Sequence, residues 1–184
     1  MKIYTAPDEV KREDCSEDKI WIFLAGGITG CYNWQLKIIN ELESCPFSGE
    51  IVLFNPRRTD FDISNPNAAY EQIHWEFRYL NRMDAFTIYF AASETSDQPI
   101  CMYELGRYLS EMQHRFPLDW KDRIVIGIED GYSREKDVCI QTGLATDYML
   151  TPLVNVTPEL YAKQISDTAR KMIFWRGNYG RAHV

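Results

Sequence analysis

Residues 20–25, Ile-Trp-Ile-Phe-Leu-Ala, form an unbroken apolar run that stops at Gly26-Gly27. A strand that is apolar on both faces must be covered on both faces, which is the position of a central strand in a parallel sheet. That one segment therefore asks for helices above and below it. The rest of the chain supplies them. Residues 51–54 (IVLF), 85–92 (AFTIYFAA) and 123–128 (RIVIGI) read as further buried strands, and 150–154 as a weaker edge strand. Helical spacing is expected over 32–44, with Trp34, Ile38, Ile39 and Leu42 on one side. It is expected again over 68–82, with Ile73, Phe77 and Leu80 as the apolar stripe, and over 100–112, with Met102, Leu105, Leu109 and Met112. A last helix opens at Thr157-Pro158-Glu159, where Thr is a good N-cap and Pro a good first helical residue. The expectation is an α/β fold with four or five mainly parallel strands and helices on both faces. It is read as one domain over residues 1–184, with an extended segment at 1–17 and a tail at 174–184.

Composition narrows the function classes. Lys and Arg number 20 against 27 Asp and Glu, a net charge of −7. That balance argues against a nucleic-acid polymer as partner, because phosphate contacts need clustered cations. No run of about 18 apolar residues exists to span a membrane. The opening MKIYTAPDEVKRED lacks the apolar core of a secretory signal. Five cysteines, at 15, 31, 45, 101 and 139, form no CxxC pair, so neither a disulfide framework nor a zinc site is expected and a reducing cytoplasm fits. No metal and no cofactor is expected. The turn at Ala25-Gly26-Gly27-Ile28-Thr29-Gly30 is not the G-x-G-x-x-G of dinucleotide binding, and Asn55-Pro56-Arg57 stands where a ribose-binding acid would end the second strand.

In a sheet of this kind a ligand binds beyond the carboxyl ends of the strands. Candidate groups there are Gly26 and Gly27, which permit close backbone approach, and Arg57, a clamp for carboxylate or phosphate. On the 68–82 helix Glu76 borders the apolar stripe with Gln72 one turn earlier, so partial burial would raise its pKa. Glu104 lies off the stripe of the 100–112 helix and is free to face the strand ends, where the helix N-terminus is expected to keep it ionised. Asp97 is a further acid in the loop before Pro99.

These motifs, in order, resemble the nucleoside 2-deoxyribosyltransferase family, in its deoxyribosyltransferase-like branch. The matching pieces are Ile22-Phe23-Leu24-Ala25-Gly26-Gly27-Ile28, Trp34, Phe54-Asn55-Pro56-Arg57-Arg58, Glu71-Gln72-Ile73-His74-Trp75-Glu76, Met83-Asp84 and Tyr103-Glu104-Leu105-Gly106. Gly131-Tyr132-Ser133-Arg134 completes the set, with Asp137-Val138 where Asn-Val is the usual pair. The resemblance covers roughly residues 1–155.

The resemblance implies a flavodoxin-like or Rossmann-like fold and retaining cleavage of an N-glycosidic bond in 2′-deoxynucleosides, with transfer of the sugar to another nucleobase. It makes Glu104 the nucleophile. Glu76 stands eight residues before Asp84, where the family places an acid, usually Asp. A further family acid lies about six residues before the nucleophile; Gln98 stands there, with Asp97 adjacent. Asp84 itself reads as structural. Substrate contacts are expected from Gly26, Gly27, Asn55, Arg57, Gln72 and Tyr103, and stacking on the base from Trp34, Trp75 or Tyr32. The partners implied are a small nucleoside or nucleotide and a second copy of the chain in a homo-oligomer. The aromatic, basic C-terminal FWRGNYGRAHV either completes a neighbour's site or packs on its own domain. Hydrolysis of (deoxy)nucleoside 5′-monophosphates, cleavage of another N-glycoside, and nucleotide binding without turnover remain alternatives.

Overall fold

The computed structural model describes residues 1–16, 18–62 and 64–179. Its elements in chain order are β1 (Lys2–Thr5), β2 (Ile20–Gly26), α1 (Trp34–Glu43), β3 (Ile51–Asn55), α2 (Ala68–Leu80), β4 (Ala85–Phe90), α3 (Pro99–Arg115), β5 (Ile124–Ile128), α4 (Glu135–Ala145), β6 (Leu153–Val154) and α5 (Pro158–Tyr179). The strands make one sheet in the order β1-β3-β2-β4-β5-β6, every pair parallel. This is the expected α/β architecture of flavodoxin-like and Rossmann-like folds, with six strands instead of four or five.

The period-2 alternation of each strand divides the core into two layers. Ile20, Ile22 and Leu24 of β2 join Tyr89 and Val125 against α1 and α5. Phe23 and Ala25 of the same strand join Phe54, Phe86 and Ile88 against α2, α3 and α4. The unbroken apolar run at 20–25 is thus covered on both sides, as its composition demands.

Two elements were not expected. Strand β1 pairs Ile3 with Leu53 at the sheet edge, inside the segment read as an extended arm. Helix α4 covers residues 135–145, where Val138, Thr142 and Gly143 are buried. The stripe on α2 is also corrected. Ile73 and Phe77 are 63% and 51% exposed, while Trp75, Tyr79 and Leu80 are buried. The sheet takes the Trp75 and Tyr79 side of α2, which packs on Phe23 and Phe54. The N-terminal segment then satisfies the polar ends of those side chains, because Asp8 O accepts from Trp75 Nε1 at 2.8 Å and Glu9 pairs with Arg78 and Tyr79.

Thr157 caps α5 as expected, its Oγ1 accepting from Leu160 N. Asn33, read as part of the first helix, is its cap instead and accepts from Leu36 N. Asp84 is structural: its carboxylate accepts from Trp21 N at 2.8 Å and pairs with Arg176 at 2.5 Å. Residues 174–179 of the expected tail are the last turns of α5, and 180–184 lie outside the described residues. Among the described residues no helix is long and apolar enough to cross a membrane.

Strand β3 lies on one side of β2 and β4 on the other. The connections leaving β2 and β4 therefore diverge, and the crevice between them is where ligands bind in such sheets. Gly26, at φ +142°, makes the turn into it.

Candidate active site

The crevice is a cleft of about 270 Å³. Its walls are residues 26–29 after β2, Pro56 after β3, Glu76 of α2, Ser96 and Gln98 before α3, and Cys101 and Glu104 of α3; Phe23 and Ala25 make the floor. Two of the sequence-predicted acids, Glu76 and Glu104, meet here from neighbouring helices.

Each carboxyl is held out of water by the packing of its own helix. Glu76 follows the buried Trp75 and lies one turn after Gln72. Burial pushes its carboxyl up, and a hydrogen bond from Gln72 opposes the rise. Glu104 lies three residues after the buried Cys101, on the edge of the α3 face that packs Leu105 and Tyr108 against the sheet. Its carboxyl is pushed up to about 8, first by burial and then by the charge of Glu76. This overturns the expectation that the helix N-terminus keeps Glu104 ionised. The residue sits past the first turn of α3, where the field of the terminus has faded and desolvation wins. The Cys101 thiol between the two acids is pushed up by burial and by Glu104, so it stays protonated and unreactive.

Asp97 does not reach the cleft. Its carboxylate accepts from Ser133 Oγ at 2.6 Å and its carbonyl from Tyr132 OH at 2.9 Å, which turn it toward the loop after β5. Gln98 takes the wall position instead. It is only 3% exposed, adopts a left-handed backbone with φ 51°, and donates from Nε2 to Ala91 O at 2.6 Å. Its Oε1 is buried with no partner among the described residues. The place of Gln98 six residues before Glu104 was the available signal, and the neighbouring acid drew attention from it. Gly27 and Gln98 fit one another: a Cβ on Gly27 would lie 2.5 Å from the amide of Gln98. A Cβ on Gly26 would lie 2.3 Å from Tyr89 O. Both glycines line the cleft, and the space they leave is taken by the protein itself.

The other expected contacts are structural. Trp34 is fully buried, donates from Nε1 to Gly27 O at 2.8 Å and packs on Tyr89. It braces the glycine turn from below and presents no face to a base. Trp75 is buried among Phe23, Phe54 and Tyr79. Tyr32 donates to Glu129 in a separate cleft on the α1 and α5 side. Tyr103 is 65% exposed and lies outside the cleft lining. Asn55 accepts from Arg57 N at 3.1 Å, closing the turn after β3.

Arg57 holds a loop where a substrate anion was expected. Its Nε donates to Gln35 Oε1 at 2.8 Å, and its Nη2 lies 3.2, 3.3 and 3.0 Å from the carbonyl oxygens of Ile28, Cys31 and Tyr32. Through Nε and Nη2 the guanidinium gathers the loop that walls the cleft, and Arg57 itself is not among the cleft-lining residues. Arg58, whose side chain is largely buried, pairs through Nε with the exposed Asp60. Gln72 also acts within the protein: Nε2 donates to Pro56 O at 2.8 Å and Glu76 Oε1 at 2.7 Å. Among the described residues no three His, Cys, Asp or Glu side chains form a group that could hold a metal ion.

Two under-solvated carboxyls of unequal basicity in one cleft are equipped to handle one proton and one developing positive charge. No curated protein matches the chain. The sequence profile described as nucleoside 2-deoxyribosyltransferase like matches residues 19–116, just over half the chain. The matched span runs from β2 through α3 and includes both cleft glutamates. The chain belongs to the nucleoside 2-deoxyribosyltransferase-like family, which is associated with nucleoside deoxyribosyltransferase enzymes.

Proposed function

We propose that the cleft cleaves the N-glycosidic bond of a 2′-deoxynucleoside with retention and passes the sugar to a second nucleobase. The observation that carries this reading is the meeting of Glu104 and Glu76 in one cleft, with the Glu104 carboxyl pushed up to about 8. Near neutral pH such a pair holds one proton between its two carboxyls. In the reactive complex Glu76 carries that proton and Glu104 is ionised. An oxygen of Glu104 attacks C1′; the C1′–N bond breaks, its electron pair stays on the base nitrogen, and Glu76 delivers its proton to the base. The oxocarbenium character that builds at C1′ is met by the Glu104 carboxylate in a site with little water, where the attraction is strongest. A second base then attacks C1′, Glu104 departs as carboxylate, and the N–H proton of the incoming base returns to Glu76.

The absence of any Arg, Lys or His from the cleft lining, among the described residues, favours a nucleoside over its 5′-monophosphate. A homo-oligomer belongs to the same reading. Tyr70, Ile73 and Phe77 of α2 and Ile100 and Tyr103 of α3 are exposed apolar side chains on the two helices that carry the acids, and they support assembly on that face.

The test is incubation of the purified protein with deoxynucleosides, ribonucleosides and deoxynucleoside 5′-monophosphates, each with and without a competing free base. A new deoxynucleoside that forms only with the added base is the expected result. Free base without exchange would make the protein a hydrolase, and no product from any substrate would overturn the reading.

A further inference from the structure

We propose that Gln72 is a positioning residue for the reaction proposed above, holding Glu76 as the hydrogen-bond-accepting member of the cleft pair and leaving their shared proton to Glu104 when the cleft is empty. The geometry allows few alternatives. A primary amide nitrogen carries two hydrogens and no lone pair to give. Gln72 Nε2 uses both, one toward Pro56 O at 2.8 Å and one toward Glu76 Oε1 at 2.7 Å. The Pro56 carbonyl can only accept, and Pro56 is buried at the end of β3. Turning the amide over would set its oxygen against that carbonyl and against the carboxyl, so the donor side is fixed. The fixed orientation has a cost, because Gln72 Oε1 is left buried without a partner among the described residues.

The two acids are therefore unequal. Glu76 receives a donated hydrogen, which favours its anion. Among the described residues no side chain or backbone group donates to the Glu104 carboxyl. The charged or titratable groups facing Glu76 are Glu104 and the Cys101 thiol, both on α3. From the sheet it meets the apolar Phe23 and Ala25, and beyond β3 it meets Pro56. Among the described residues no cationic side chain lines the cleft to compete with Gln72 for that role.

This inequality serves the chemistry. When Glu76 gives its proton to the departing base it becomes the anion that Gln72 already faces. Within the reactive complex, where Glu76 carries the proton, the hydrogen bond strengthens as the C1′–N bond breaks and so lowers the barrier of the chemical step, whereas moving the proton onto Glu76 as substrate binds weakens it. The inference rests on the proposed function for that benefit, while the order of proton uptake is a property of the empty protein.

The test uses Gln72→Met, which removes the donor at similar length, and Gln72→Glu, which replaces it with an acceptor. Carboxyl carbons of the unliganded, glutamate-labelled protein are titrated by NMR, with the two signals assigned by their loss in Glu76→Gln and Glu104→Gln. In the wild type Glu76 should ionise at lower pH than Glu104. Its titration should move up by about one pH unit in Gln72→Met and further in Gln72→Glu. With a nucleoside that turns over, Gln72→Met should lose about tenfold in kcat with KM falling alongside it, and the acid limb of the pH profile should shift upward. Unmoved titrations in both variants, with the fold retained by circular dichroism, would overturn the inference. So would a Glu104 that ionises before Glu76 in the wild type. Shifted titrations in a protein that cleaves no glycoside would support the inference and defeat the proposed function.

Discussion

The carboxyl end of the sheet carries two clefts, one on each side, and each contains glutamate. On the α1 and α5 side a cleft of about 380 Å³ holds Glu129. One oxygen of Glu129 accepts from Tyr32 OH and the other from Ala92 N at 2.7 Å. On the α2 and α3 side the other cleft holds Glu76, with one donor, and Glu104, with none among the described residues. The difference between the two clefts is one of satisfaction. A carboxylate whose oxygens are both engaged is a structural tie between loops. A carboxyl removed from water without donors is perturbed, and perturbed groups in a cleft are the ones available for chemistry.

Substitutions can break this comparison, and the largest effect is expected at Glu104. Glu104→Gln should lose at least ~10³-fold in glycoside cleavage while keeping its fold. Glu129→Gln should leave the rate within a few-fold, as measured by initial rates and circular dichroism on the same preparations. Equal losses at the two positions would erase the distinction between the clefts.

Glu76→Gln comes next, at ~10²-fold in kcat, the usual contribution of a positioned acid. The loss should shrink for a substrate whose base departs without protonation. A rise in KM alone would remove Glu76 from proton transfer.

Arg57→Ala should act more weakly, through the cleft wall. It strands several loop carbonyls and should destabilise the protein by about 2 kcal/mol, with KM rising more than kcat falls. A thermal melt together with a substrate-dependence curve separates the two effects.

The smallest effect is on stability. The Glu104 carboxyl is raised in the folded protein, so the native state binds more protons than the unfolded chain between the ordinary glutamate range and about 8. The stabilisation is complete below that window and is lost as pH rises through it. Glu104→Gln escapes the loss. Its melting temperature should exceed the wild type's by about 2–4 °C at pH 8.5, for an effect of about 1 kcal/mol after discount for solvent at the cleft mouth, and the gain should vanish near pH 4. A gain independent of pH would show that Glu104 is not perturbed in the way described.

The sheet was largely legible because buried parallel strands are written as continuous apolar runs, and β2 through β5 all have one. Strand β1, Lys2–Thr5, carries no such run, since an edge strand needs cover on fewer sides. Helix α2 was legible in place and wrong in face. Its sequence offers Ile73 and Phe77 on one side and Trp75 and Tyr79 on another, and the decision between them lies in non-local contacts, with Phe23 and Phe54 of the sheet and with residues 8 and 9. Glu104 could be placed near the strand ends from helical spacing, since it lies off the buried stripe of α3. The spacing sets Glu76 beside Ile73, which is exposed, and Glu76 reaches the cleft beside the buried Trp75 instead. The behaviour of Glu104 could not be read from spacing, because the desolvation that raises it comes from packing around the cleft. Trp34, Trp75 and Arg57 look like ligand groups in a linear reading, since the same aromatic and guanidinium chemistry that grips a nucleoside also braces a loop. Which use prevails depends on what the chain folds against them.

The claim that Glu104 is the nucleophile is tested most directly by covalent capture. The protein is mixed with a deoxynucleoside in the absence of an acceptor base, quenched in acid, digested and examined by tandem mass spectrometry. A deoxyribosyl ester on the peptide containing Glu104, absent from Glu104→Gln, is the predicted result. An ester on Glu76, or steady turnover in Glu104→Gln with no adduct in either protein, would contradict it.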